Sequence, residues 1–392
     1  MKIKKIFACL IMAVILFVSG CSFGNSDKTD SQDVSYIAGE TLNDSSVVRW
    51  IGRTEYSQSE EKVYTYFTAT GFTVNFTGTS LYVKYSATNT DSDVNRPYFV
   101  CMVDGQTAEE GASFCLTSPT QTVKVLSNLE NGNHSATILK RSEPENSLTA
   151  VCEIFTDGVF LKPSEHNGLR FQIIGSSGIS GHGCLGSPSE DWTTANSSSL
   201  QGFGYLAAQK FGAECQFASA SGMGMVWSYR GVSPMPQTYE ATGLIASYNS
   251  NGSTKSVSAH GNWDHTKWTP DVVIANIGGN DWNNKINKLT AGSAERTAAE
   301  NQFKEAIVGL VTRIHDLYAN AKIIWTCNST SSGNGKLAYD AVQTLSFKNK
   351  IFFVSIDSTK DGADNHAGLA TQQANATIVA DAITYNCSLP QI

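Results

Sequence analysis

The chain has 392 residues, of which 41% are hydrophobic and 16% charged, and a formal net charge of −7. That length exceeds one ordinary hydrophobic core and points to two domains. An acidic balance without basic runs argues against nucleic acid as a partner.

The first twenty residues differ from the rest. Lys2, Lys4 and Lys5 precede an apolar run from Ile6 to Val18, followed by Ser19, Gly20 and Cys21. A cationic start, an apolar stretch short for a membrane span and small residues at the cleavage point make 1–20 a signal peptide. Losing its three lysines takes the net charge from −7 to −10. The VSGC tail resembles the lipobox of bacterial lipoproteins. That resemblance implies lipidation of Cys21 and a membrane-anchored protein at the cell surface or in the periplasm. A soluble secreted protein cut near Cys21 is the alternative. Residues 21–45 are polar, small and aperiodic, and read as a flexible tether.

From 46 to 164 the chain reads as β throughout. Short β-branched and aromatic runs (VYTYFTATGFTVNFTG, SLYVKYSAT, YFVCMVDG, HSATILKRS) alternate with Thr-Gly, Asp-Gly and Asn-Gly-Asn turns. Strands at that spacing predict an antiparallel sandwich or jelly roll. Seven cysteines remain once Cys9 and Cys21 are set aside, an odd number, so they cannot all pair within the chain. Export permits disulfides, and Cys101 with Cys115 is the candidate local bridge.

Between 165 and 392 the pattern changes to alternating strands and helices. FQIIG, CQFASAS, DVVIANIGG, KIIWTC and IFFVSID are strands, with helices such as AAENQFKEAIVGLVTRIHDLYAN between them. Near-continuous apolar strands joined by helices predict an α/β fold, a parallel sheet covered on both faces. Sites in such sheets lie beyond the carboxyl ends of the strands. The loops at those ends hold Gly175-Ser176-Ser177, then Ser221-Gly222-Met223-Gly224, then Gly278-Gly279-Asn280-Asp281, and finally DGADNHAG with His366. Gly175, Gly178, Gly181 and Gly183 do not by themselves spell GxGxxG, and no GxxxxGK[ST] or GxSxG occurs, which argues against dinucleotide, P-loop and ordinary α/β-hydrolase readings.

This ordered set resembles the SGNH (GDSL-like) hydrolases, and with the β domain in front it resembles carbohydrate esterase family 2. IIGSSGISGHG stands at the nucleophile block, SGMG at the glycine block and GGND at the asparagine block. WIGRT at 50–54 and LKRSE at 139–143 resemble recurrent elements of that family's jelly-roll domain, and WDHTKWTPDVVIANIGGND its approach to the asparagine. The resemblance implies an SGNH-hydrolase domain with a flavodoxin-like sheet. It implies Ser177 as nucleophile, His366 as base, and an oxyanion hole from the N–H of Ser177, the N–H of Gly222 and the amide of Asn280. Asp364, two residues before the histidine, is the candidate for orienting the imidazole, with Asp361 or a backbone carbonyl as alternatives.

The chain departs from the family where Ser176 replaces the usual aspartate, Gly178 and Ile179 replace isoleucine and threonine, and Ala367 replaces proline. No cofactor and no metal are expected. His260, Asp264 and His265 lack a second close ligand pair and read as a solvated loop. Trp282, directly after Asn280-Asp281, and Trp227 are candidate substrate-binding faces; Tyr229, Trp263 and Trp268 offer further flat apolar faces that suit sugar rings, the last two read more simply as packing. The resemblance implies an exported esterase that removes O-acetyl groups, at the 6-O position, from an acetylated polysaccharide or oligosaccharide, with the membrane touched only through the N-terminal lipid. The alternatives are a surface glycan-binding lipoprotein with a decayed hydrolase domain, or a cell-envelope glycan O-acetylesterase.

Overall fold

The computed structural model describes residues 35–249 and 254–392, which fold as one compact unit. The expected signal peptide, the expected lipidation site Cys21 and most of the expected tether lie outside the described residues. The tether's C-terminal part does not behave as a tether. Ser35–Ala38 is a strand paired antiparallel to Thr149–Thr156, with Ile37 and Leu42 fully buried. The folded region therefore begins at least ten residues before position 46. The strand spans only four residues, too few for an alternating pattern to stand out in the sequence.

Two six-stranded antiparallel sheets occupy the first half. One runs Thr54–Ser57, Lys62–Thr65, Thr149–Thr156, Leu81–Ala87, Thr120–Leu126, with Ser35–Ala38 as sixth strand on Thr149–Thr156; the other runs Phe160–Leu161, Gly71–Gly78, Gly132–Lys140, Tyr98–Val103, Ala112–Cys115, with Arg49–Ile51 as sixth strand on Gly71–Gly78. Val63, Phe72, Val74, Phe76, Leu81, Val83, Phe99 and Ile154 fill the space between them. The expected Cys101–Cys115 bridge is not formed. Antiparallel register sets Cys101 opposite Ala112 and Cys115 opposite Tyr98. Three residues of stagger is roughly 10 Å along the strands, beyond the reach of a disulfide.

The second half holds a five-stranded parallel sheet: β1 (Arg170–Gly175), β2 (Glu214–Ser219), β3 (Val272–Asn276), β4 (Lys322–Cys327) and β5 (Ile351–Ser355). Its order is 2-1-3-4-5, so β2 and β5 form opposite edges. The chain reverses between β1 and β3, the position where such sheets open a crevice. Helix α1 (Phe203–Gln209) packs on α6 (Leu369–Cys387). Helices α2 (Met235–Glu240) and α5 (Gly333–Val342) pack on α4 (Ala294–Leu317), while the short α3 (Gly279–Asn284) follows β3. A hairpin, Gly243–Tyr248 with Thr254–His260, was not foreseen.

The two halves share a core. Ile51, Phe67, Ala69, Val100, Met102 and Leu139 of the sandwich bury with Phe171, Ile173 and Phe217 of the parallel sheet. Two arginines stitch the seam. Arg53 of WIGRT is fully buried and donates to the carbonyls of Tyr239 (2.9 Å) and Ala241 (2.6 Å). Its burial pulls its pKa down to about 10. Arg141 of LKRSE donates to the carbonyls of Ser197 (2.9 Å) and Ala195 (2.6 Å). A guanidinium satisfies several carbonyls in a fixed plane, which suits it to pinning irregular backbone.

Candidate active site

Every catalytic residue read from the sequence lies just past the carboxyl end of a parallel strand. Ser177 follows β1, Gly222 follows β2, Asn280 opens α3 after β3, and His366 follows β5. They converge on one cleft of about 480 Å³ that also admits Val94, Asn95, Glu145 and Asn146 from the sandwich.

His366 Nε2 lies 2.9 Å from Ser177 Oγ. The other ring nitrogen, Nδ1, is 2.7 Å from the main-chain carbonyl of Asp364. A carbonyl only accepts, so Nδ1 carries the proton and Nε2 presents its lone pair to the serine hydroxyl. The orienting atom is thus the Asp364 carbonyl and not its carboxylate, which corrects the side-chain expectation. The Asp364 carboxylate points instead to His182 Nε2 at 3.3 Å. Asp361 is engaged elsewhere, accepting from the Gly368 amide at 2.6 Å. Burial lowers the His366 pKa, and the adjacent His182 ring lowers it further, against the opposing pull of Asp364 and Glu143. Both effects favour the neutral base.

The side expected to form the oxyanion hole is built from two turns. Gly222 sits at φ +80, and a Cβ there would come within 3.3 Å of Tyr229; a side chain would strain this position. Asn280 Nδ2 donates to the Met223 carbonyl at 2.9 Å, which aims the amide and leaves its second N–H. Asp281 is fully buried and accepts from the amides of Met225, Val226 and Trp227, at 2.7, 2.7 and 2.8 Å. It thereby folds the loop that follows Gly222. Burial raises its pKa despite those three donors. The small residues around Ser177 serve close approach: a Cβ on Gly183 would meet the Ala363 carbonyl at 2.6 Å, where the nucleophile loop touches the histidine loop.

Of the aromatics named from the sequence, Trp282 and Trp227 do not line the cleft. The Trp282 ring packs against the core beneath the Arg296 guanidinium, 5.2 Å away, and Trp227 is held by its amide on Asp281. The half-exposed Tyr229, also a candidate face from the sequence, lines the cleft together with Trp192, which is not among those aromatics. Trp263 lies over Arg53, and Trp268 is buried against Glu214, both as packing.

Two residues went unassigned in the sequence although both stand inside quoted motifs: His182 in GISGHG and Glu143 in LKRSE. His182 stacks flat on Trp192 (4.9 Å between centroids, 4°) and its ring lies 4.4 Å from that of His366. Donor atoms of His182, Asp364 and His366 lie within 4.8 Å of one another, as do those of Glu143, Glu145 and His182. The nitrogens of both histidines are already directed at Ser177, Ser221, Asp364 and Glu143. Of the loop residues set aside, His265 Nδ1 meets the Tyr318 hydroxyl and His260 meets Glu55.

A hydroxyl beside a neutral imidazole, with amide donors facing the same space, is the equipment of acyl transfer. By fold and site the chain resembles the carboxylic ester hydrolases of the SGNH type. Its resemblance to carbohydrate esterase family 2 extends over both halves of the chain. Residues 50–163 match the family described as carbohydrate esterase 2 N-terminal. A cellulase/esterase of Acetivibrio thermocellus is 25% identical over 320 residues, covering 77% of this chain. The match spans only 35% of that relative's length. An acetylxylan esterase/glucomannan deacetylase of Cellvibrio japonicus is 28% identical over 282 residues, 70% of this chain and 71% of the relative. The solved structure of an acetyl xylan esterase from the rumen bacterium Butyrivibrio proteoclasticus aligns with a TM-score of 0.74 at 18% identity, covering 91% of this chain and 99% of that one.

Proposed function

We propose that the chain is an exported esterase, held at the membrane through Cys21, that removes O-acetyl groups from polysaccharides at the 6-O position. The single observation that carries the reaction is the 2.9 Å approach of His366 Nε2 to Ser177 Oγ inside the cleft. Ser177 Oγ attacks the acetyl carbonyl as His366 Nε2 takes its proton. The tetrahedral oxyanion is received by the amides of Ser177 and Gly222 and by Asn280. Collapse passes the proton from His366 to the departing sugar hydroxyl, leaving Ser177 acetylated. Water, deprotonated by His366, then releases acetate and restores the serine. The Asp364 carbonyl stabilises the imidazolium formed in each half. Acetylated xylan and glucomannan are the substrates suggested by the relatives' names.

The test is acetate release by the purified chain from acetylated glucomannan, acetylated xylan and acetylated peptidoglycan, with Ser177→Ala as control. The variant is expected to lose at least roughly 1,000-fold in kcat. Wild-type turnover no better than the variant on all three would leave a glycan-binding protein in place of an enzyme. Selective release from peptidoglycan would redirect the substrate to the cell envelope.

A further inference from the structure

We propose that Glu143, a carboxylate delivered by the β-sandwich, is a positioning residue for the esterase site, acting with His182 to hold the Gly222 turn and the His366 turn in one frame. This rests on the esterase reading of Ser177 and His366.

The sheet alone does not hold those turns together. Gly222 follows β2 and His366 follows β5, the opposite edges of the order 2-1-3-4-5. Their relative placement depends on what spans the cleft between them. Glu143 lies three residues past the strand Gly132–Lys140 and is 2% exposed. One carboxylate oxygen accepts from the Ser221 amide at 2.7 Å, the other from the Ser221 hydroxyl at 2.7 Å. Two bonds to one residue fix its orientation, and Ser221 is the residue whose peptide carries the Gly222 N–H. A buried carboxylate with several donors forms strong, directional contacts.

His182 continues the frame. Its Nδ1 lies 2.9 Å from Ser221 Oγ and 3.3 Å from Glu143, and its Nε2 lies 3.3 Å from the Asp364 carboxylate. Asp364 sits in the left-handed region at φ +50, ψ +39, where side-chain-bearing residues are uncommon and need outside support. Its carbonyl is the atom that receives His366 Nδ1–H. The path therefore runs from Glu143 to Ser221 and the oxyanion turn on one side. On the other it runs through His182 and Asp364 to the base. Trp192, stacked on His182, keeps that ring from rotating.

Glu143 is buried behind the cleft and does not line it, so its substitution should act on the transition state and not on binding. With 4-nitrophenyl acetate and acetylated xylan, Glu143→Gln and His182→Gln are each expected to lower kcat roughly 10- to 100-fold with KM little changed. Because both act through one frame, the double variant should lose little more than the weaker single variant. Facing His366 are His182, which lowers its pKa, and Asp364 and Glu143, which raise it. The acid limb of kcat/KM is thus expected to move to lower pH in Glu143→Gln and to higher pH in His182→Gln.

Wild-type kcat and an unmoved acid limb in Glu143→Gln would overturn the proposal, provided Ser177→Ala is inactive. Additive losses in the double variant would overturn it as well. So would a Glu143→Gln enzyme that loses only the titratable fraction of active sites, with kcat per site intact. An active Ser177→Ala would instead bring down the esterase reading itself. If Glu143→Gln does not fold, His182→Gln decides alone, and an unchanged kcat and acid limb there is fatal.

Discussion

The two walls of the cleft are built on different principles. The parallel-sheet wall takes each residue from the segment beyond the carboxyl end of a strand: Ser177, Gly222, Asn280 and His366. The sandwich wall takes Val94, Asn95, Glu145 and Asn146 from turns between antiparallel strands, with buried Glu143 behind them. Parallel strands point their carboxyl ends the same way, so one edge collects the reactive groups by topology. Antiparallel strands offer no such edge, and their contribution depends on how the sandwich docks. The comparison teaches that the reacting atoms are local features of one half, whereas the frame around them is shared.

That contrast can be broken at three points. The largest effect is expected on the parallel-sheet wall: Asn280→Ala removes an oxyanion donor and should lower kcat roughly 100- to 1,000-fold, with the fold intact. A kcat within a few-fold of wild type would take Asn280 out of the reaction. At the seam, Phe67 is fully buried in the core that both halves share. Phe67→Ala should cost about 3–5 kcal/mol in denaturant unfolding, as a single transition. Two separated transitions, one matching the sandwich alone, would show that the halves do not share a cooperative core. The smallest effect concerns pH. His366 must be neutral to act, so kcat/KM rises with pH through its pKa. With that pKa held below 6.5 by burial and His182, the acid limb should have its midpoint below pH 6.5. A midpoint above that value would contradict the burial seen around the ring.

The legible features were those with local signatures. Alternating β-branched runs mark the sandwich strands, as in Leu81–Ala87, whose side chains are buried at every second position at its start. Apolar runs ended by Gly-Ser-Ser, Ser-Gly and Gly-Gly-Asn mark strand ends, and the α/β rule then says where to look. Misplaced features depended on direction. Trp282 adjoins Asn280-Asp281 in sequence, but on the helix that starts at Gly279 its ring turns toward the core and Arg296. Trp192 is unremarkable in sequence and reaches the cleft by stacking on His182. The group orienting the imidazole stayed open in the sequence between the Asp364 side chain, Asp361 and a backbone carbonyl, because a carbonyl is present at every residue and has no signature; the structure puts the Asp364 carbonyl there.

By itself the sequence determined which residues could do chemistry, because a nucleophile, a base and glycine turns are written as residue types at strand ends. It also determined the order of the main strands and helices, though not the Ser35–Ala38 strand or the Gly243–His260 hairpin, because period and turn chemistry act over a few residues. Tertiary structure alone decided that a sandwich carboxylate at 143 meets Ser221, 78 positions later, and that His182 lies between Glu143 and Asp364. Such contacts follow from how two sheets bury a common core. That packing is collective: it depends on many side chains at once, and no single stretch of sequence records it.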